Sequence, residues 1–169
     1  MTTERLDATS APTAPFEPTT QHQALADIAG RWSGDTQLYL DPSAAPELSH
    51  TEATIEVVLG GRWIRIDYHG TAMARPHAGV LLLGFHRDAN VFEASWIDSF
   101  HTGTAMMMSI GEPRPDDAVS VLGSYAAGDQ RWGWRTTLRR TGSELVIESF
   151  NITPEGQEHP AIVTRLRRI

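Results

Sequence analysis

Cysteine and lysine are both missing from this 169-residue chain. Without cysteine there is no disulfide, no thiolate metal ligand and no cysteine nucleophile. The lack carries no information on compartment, because cysteine-free proteins occur in all of them. With no lysine, every basic residue is an arginine. A biased genomic base composition accounts for that; the functional alternative is anion recognition by forked guanidiniums. Long apolar runs are also absent. The longest, Val80 to Leu83, suits one buried strand and falls far short of a membrane span. Positive charge is scarce, with a net charge of −7. The one basic cluster, Arg165, Arg167 and Arg168, reads as the solvated face of a last strand, so no nucleic-acid partner and no membrane partner is expected. No G-x-S-x-G elbow, phosphate-binding loop or H-E-x-x-H pair is present. The sequence therefore offers no positive argument for catalysis.

The first residues, Met1 to Pro18, mix Thr, Ala and Pro with charged Glu4, Arg5, Asp7 and Glu17. Too little of this is apolar to offset the entropy of ordering it, and it lacks the apolar core of an export signal. The expectation is a disordered tail over residues 1–19, one domain over residues 20–169, and the cytoplasm as default location. One short helix is readable. Thr20 serves as N-cap with Gln23 three residues later, Leu25, Ile28 and Ala29 form an apolar stripe, and Gly30 supplies the left-handed C-terminal position.

Beyond Gly30 the chain reads as strand and turn. Ten strands are expected: 31–40, 49–59, 62–69, 79–86, 91–98, 104–110, 119–126, 131–140, 144–152 and 161–168. Gly60-Gly61, Asp88-Ala89-Asn90, Gly128-Asp129 and Thr141-Gly142-Ser143 punctuate them. Parallel pairing would need long crossovers, for which there is no room. An antiparallel meander of ten twisted strands closes on itself, because closure removes its exposed edges. The expected fold is all-β: a closed barrel with one short helix at a mouth.

Four segments then carry a resemblance: His22 to Gly34, ending Gly30-Arg31-Trp32-Ser33-Gly34; Leu59-Gly60-Gly61-Arg62-Trp63-Ile64; Gly84-Phe85; and Trp96-Ile97-Asp98-Ser99. In this order they resemble the DUF1579 family. The family's usual Gly-Tyr-Asp turn departs here to Gly84-Phe85-His86. The resemblance implies a calycin-like, lipocalin-like barrel of unassigned role. A more distant similarity links the opening Gly-x-Trp-x-Gly to lipocalins, fatty-acid-binding proteins and haem-binding nitrobindins. It implies that Trp32 closes one end of the barrel.

Alternation along the strands nominates an interior. Tyr68, Trp96, Met106, Met108, Tyr125 and Trp134 are expected to line it, either as filling or as the wall of a ligand cavity. Asp98 follows Phe92, Ala94 and Trp96 on one face. A carboxylate ending an apolar face needs a partner, and Arg135 is the expected one. Of seven histidines, His77, His86 and His101 flank strands four and five and could meet at one rim, but scattered rim histidines are ordinarily solvated and no metal site is expected. Three readings follow. The leading one is a binding protein for a small hydrophobic or amphipathic molecule, needing no cofactor. Its alternative, from the nitrobindin similarity, is a haem protein with His159 as axial ligand and nitrogen-oxide or redox chemistry. The third is a filled barrel acting as an interaction protein, possibly a homodimer.

Overall fold

Ten strands follow one another in the chain and pair in that same order until the last meets the first. The structure, a computed structural model, describes residues 16–116 and 118–169. Most of the expected tail therefore lies outside the described residues. The strands are β1 (Gly30–Leu38), β2 (Glu47–Val58), β3 (Trp63–Ala72), β4 (Arg75–His86), β5 (Val91–Asp98), β6 (Met107–Gly111), β7 (Val119–Ala127), β8 (Gln130–Thr141), β9 (Glu144–Ile152) and β10 (Glu158–Arg168). Every neighbouring pair is antiparallel, and β1 against β10 closes the barrel. The expected closed meander is the observed one.

Helix α1 (Thr20–Ala26) caps the end where β1 begins. Its start lies one residue earlier than expected. Thr19, not Thr20, is the N-cap, and the N3 partner is His22, not Gln23. The amide of Thr19 donates to Nδ1 of His22 at 3.2 Å. A neutral imidazole nitrogen accepts here as a glutamine oxygen would. The helix also ends sooner than its apolar stripe suggests. Asp27 is the C-cap, and Gly30 opens β1 at φ +139° instead of ending the helix.

This end is plugged with apolar side chains. Leu25 and Ile28 from the helix region join Trp32, Phe85, Phe92, Val119, Leu138, Leu145 and Leu166 in the buried core. Trp32 is 1% exposed. Its indole N–H donates to the Ile28 carbonyl at 2.9 Å, and the Arg168 guanidinium lies 4.8 Å over its ring. Arg168 also donates to the carbonyls of Ala29 and Asp27, each at 2.8 Å, satisfying backbone that the short helix leaves free. Trp32 thus closes the barrel structurally.

The middle of the lumen is mostly filled. A cavity of about 80 Å³ remains, lined in part by Thr36, Thr51, Thr136, Ser149 and Thr164. The hydroxyl of Thr36 bonds those of Thr51 and Thr164, at 2.7 and 2.9 Å. Such a volume is far below the 300 Å³ or more of an ordinary small-molecule site. The far end of the barrel, where β4 begins and β5 ends, is open.

Candidate functional site at the open end

The expected interior splits in two when placed on the strands. Paired residues in an antiparallel sheet share a face, and Trp96 pairs with Met107. Met107 is therefore the inward methionine, while Met108 points out and is 62% exposed. A one-residue register change reverses every side chain of a strand, and three successive methionines leave no alternation to read. Met106 precedes β6, which begins three residues later than expected, and lies on the mouth. Arg135 is corrected as well. It adjoins inward Trp134 and so faces out, where it pairs with Glu158 at 2.6 Å, not with Asp98. His159, expected in a loop, sits inside β10 opposite Asn151. His86 is at the other end of β4 from His77 and accepts from the Ala89 amide.

Tyr68, Trp96, Asp98, Tyr125 and Trp134 do converge. The Trp96 and Trp134 rings stack at 5.2 Å with 20° between their planes. Tyr125 meets Trp134 edge-on at 6.3 Å, and its hydroxyl donates to Asn151 at 2.7 Å. Trp96, Trp134, Tyr125 and Asn151, with His101, Thr102 and Met106, wall a pocket of about 520 Å³ open to solvent, while Tyr68 and Asp98 lie behind it. Its size falls in the range of small-molecule sites.

Behind that wall lies the feature the sequence reasoning missed. The Asp98 side chain is fully buried and accepts five hydrogen bonds. Its Oδ2 takes the Tyr68 hydroxyl at 2.5 Å and Nε2 of His77 at 2.6 Å. Its Oδ1 takes the amides of Phe100 and His101, both at 2.7 Å, and Nδ1 of His101 at 3.2 Å. The main chain of Asp98 is fixed too: its amide donates to the Thr102 hydroxyl at 2.7 Å, and that hydroxyl donates back to its carbonyl at 3.0 Å. Aspartate at a strand end commonly turns the chain in this way. Trp96 supports the cluster by donating its indole N–H to the Tyr68 oxygen at 2.8 Å.

Local sequence explains each placement. Alternation puts Tyr68, Trp96 and Asp98 inward. Gly79 pairs with both Tyr68 and Asp98, and a Cβ there would strike the Tyr68 hydroxyl. His77 enters from the start of β4. His101 folds back from the turn after β5, its ring 5.5 Å from Trp96 and 5.6 Å from Trp134. The earlier idea that rim histidines could meet thus holds for His77 and His101. The signal available was the short Asp98-Ser99-Phe100-His101-Thr102-Gly103 turn, read only as a strand end.

Burial opposes ionisation of Asp98, but hydrogen bonds from His101, His77, Tyr68 and the His101 amide outweigh it, holding the carboxyl well below the usual range. Burial first, and then the Asp98 charge, push the Tyr68 hydroxyl well above its ordinary value. Tyr68 is therefore a fixed donor, and Asp98 a fixed anion.

A family model described as "Protein of unknown function (DUF1579)" matches residues 17–168. The chain belongs to the DUF1579 family. No curated protein matches it detectably. The Trp-x-Asp-Ser run read in the sequence lies within the matched residues. In this DUF1579 chain that run supplies both the stacked Trp96 and the anion Asp98. Chemically, the arrangement offers a flat aromatic wall, an oriented pair of imidazoles and a buried negative charge beside a solvent-open pocket.

Proposed function

We propose that this protein binds a small amphipathic molecule at the open end of its barrel. The supporting observation is the stacked Trp96–Trp134 pair beside the Asp98-held imidazoles, on a pocket of about 520 Å³. The apolar part of the ligand lies against Trp134 and Tyr125. Its polar group faces His101 and Thr102, on the side backed by Asp98. The central cavity is too small to hold such a molecule, and the pocket of about 460 Å³ beside α1 has neither stacked indoles nor imidazoles in its lining, which favours the open end, with the filled lumen as its floor. Burial supplies most of the affinity, at about 25 cal/mol per Å² of apolar surface, and the polar cluster supplies orientation.

A naphthalene-sulfonate dye titrated into the protein tests this reading. Its emission should rise and tryptophan emission should fall, saturating at one dye per chain. Trp134→Ala should abolish both changes. Trp63→Phe, altering a ring on the outer face over Gly84, should leave both intact. Absence of any saturable change, or full retention in Trp134→Ala, overturns the reading. Haem is not favoured, because His159 lines neither the open pocket nor the central cavity.

A further inference from the structure

We propose that His77, Asp98 and His101 form a binding site for a single divalent transition-metal ion of the zinc or cobalt class. This goes beyond the ligand reading and does not depend on it. The juxtaposition is specific. Three donors from three separate stretches of chain, the start of β4, the end of β5 and the following turn, bring their ligand atoms within 4.8 Å of one another. Two imidazoles and one carboxylate are a donor set that suits these ions and leaves coordination positions open.

Three features distinguish the cluster from the other histidine–carboxylate contacts of the molecule. First, it is buried: the Asp98 side chain is wholly inaccessible, and those of His77 and His101 are only 15% and 17% exposed. The pairs His50–Asp35 and His69–Glu52 are largely solvated and hold only two groups each. Second, the support that a metal-binding carboxylate requires is already built. Tyr68 holds Oδ2, the amides of Phe100 and His101 hold Oδ1, Trp96 holds Tyr68, and Thr102 holds the Asp98 main chain. Outer partners of this kind orient a ligand and are costly to remove. Third, the charge is uncompensated by any guanidinium. Among the described residues no arginine bonds Asp98; neutral donors alone hold it as an anion, so no guanidinium competes with a bound cation. A divalent ion supplies that cation.

The imidazoles now meet Asp98 through ring hydrogens, Nε2 of His77 and Nδ1 of His101. The ion takes the place of those hydrogens. Each neutral ring then carries its one hydrogen on the opposite nitrogen, and the metal bonds to the freed lone pair. To admit the ion the rings draw back from the carboxylate, from nitrogens that now lie 2.6 and 3.2 Å from its oxygens. Because His101 lines the open pocket and His77 the central cavity, the open coordination positions face space that water or a ligand can enter.

The test uses the full chain without a histidine tag, stripped with a chelator and titrated with Co²⁺ alone. Expected is a visible ligand-field band saturating at one ion per chain and displaced by Zn²⁺. Zn²⁺ should also raise the melting temperature, since it binds only the folded state. His101→Ala, on a turn where folding is least at risk, should abolish the band, and so should His77→Ala. Tyr68→Phe should weaken binding by about tenfold or more, as loss of an outer partner does. His50→Ala and His69→Ala should match the wild type. Should Asp98→Asn fail to fold, the two histidine variants still decide the question. No saturable band in the wild type, or a band that survives in His77→Ala and His101→Ala, overturns the proposal. Dye binding at the open pocket is read separately, so either idea can fail alone.

Discussion

Replacing Asp98 by asparagine keeps the shape of the site and removes only the charge and half of its acceptors. The new amide has one oxygen and one nitrogen in place of two oxygens. The side facing the amides of Phe100 and His101 must remain an oxygen, because two backbone donors meet it at 2.7 Å. The nitrogen then falls opposite Tyr68 and His77. His77 can present its lone pair by changing tautomer, but Tyr68 cannot easily adapt. Its oxygen already accepts from Trp96, so its hydrogen loses its partner in a buried place. A hydrogen bond to a charged group contributes about 1.5–3 kcal/mol, and the bonds retained to Oδ1 lose their charge assistance. The expected loss is about 2–4 kcal/mol of folding stability.

Urea denaturation at neutral pH, with exposed Asp88→Asn as control, measures it. Asp88 should change stability by no more than about 0.5 kcal/mol. The gap between wild type and Asp98→Asn has a defined pH dependence. Asp98 is held below its unfolded value, so its contribution is complete above about pH 4 and is lost as pH falls from there toward the folded value. The gap should therefore be flat through neutral pH and shrink in acid. An Asp98→Asn variant as stable as the Asp88 control, or a gap that widens in acid, refutes the role assigned to the carboxylate.

Trp96→Ala removes a stacked, buried ring together with the donor that fixes Tyr68, and should cost about 3–5 kcal/mol in the same assay. Gly79→Ala sets a methyl group against the Tyr68 hydroxyl and should destabilise by about 1–3 kcal/mol. It should also weaken Co²⁺ binding, because Tyr68 must leave Asp98. At the closed end, burial keeps the His22 imidazole below its ordinary value. The unfolded chain therefore binds its proton first, and stability should fall as pH drops below about 6.5. Melting curves of wild type and His22→Gln should lie close together at neutral pH and diverge in acid, where only the wild type loses stability, since glutamine fills the capping role without titrating.

The barrel was legible because its evidence is repeated in every strand. Alternation such as Ile64-Arg65-Ile66-Asp67-Tyr68, stopped by turn residues, recurs along much of the chain, and short connections leave only antiparallel pairing. Errors fell where a local signal was degenerate. The run Met106-Met107-Met108 has no polar member to mark a face, and the inward methionine is the middle one. Trp134 and Arg135 were both sent inward although neighbours in a strand cannot share a side. The site was legible by halves. Trp96 and Asp98 announced themselves, as an apolar face ending in a carboxylate. Their partners did not, because His77 lies 21 residues before Asp98 and Tyr68 lies 30 before it. Only the register of β3, β4 and β5 brings them together. An arginine was the natural guess for a buried carboxylate. The actual solution spreads the charge over a hydroxyl, two amides and two imidazoles.

That solution explains why the two ends of one barrel differ. A closed end needs only apolar volume and a way to satisfy the backbone of a short helix, which Trp32 and Arg168 provide. No charge need be buried there. At the open end the chain buries a carboxylate in full and satisfies it with five hydrogen bonds. Five donors are then aligned on it, drawn from the turn after β5 and from two neighbouring strands. The two amide bonds shape the turn after β5, as aspartate at a strand end commonly does. Two further bonds hold imidazoles in fixed orientation, one lining the central cavity and the other the open pocket. Under the proposed functions, the buried Asp98 is what orients His77 beside the central cavity and His101 at the open pocket.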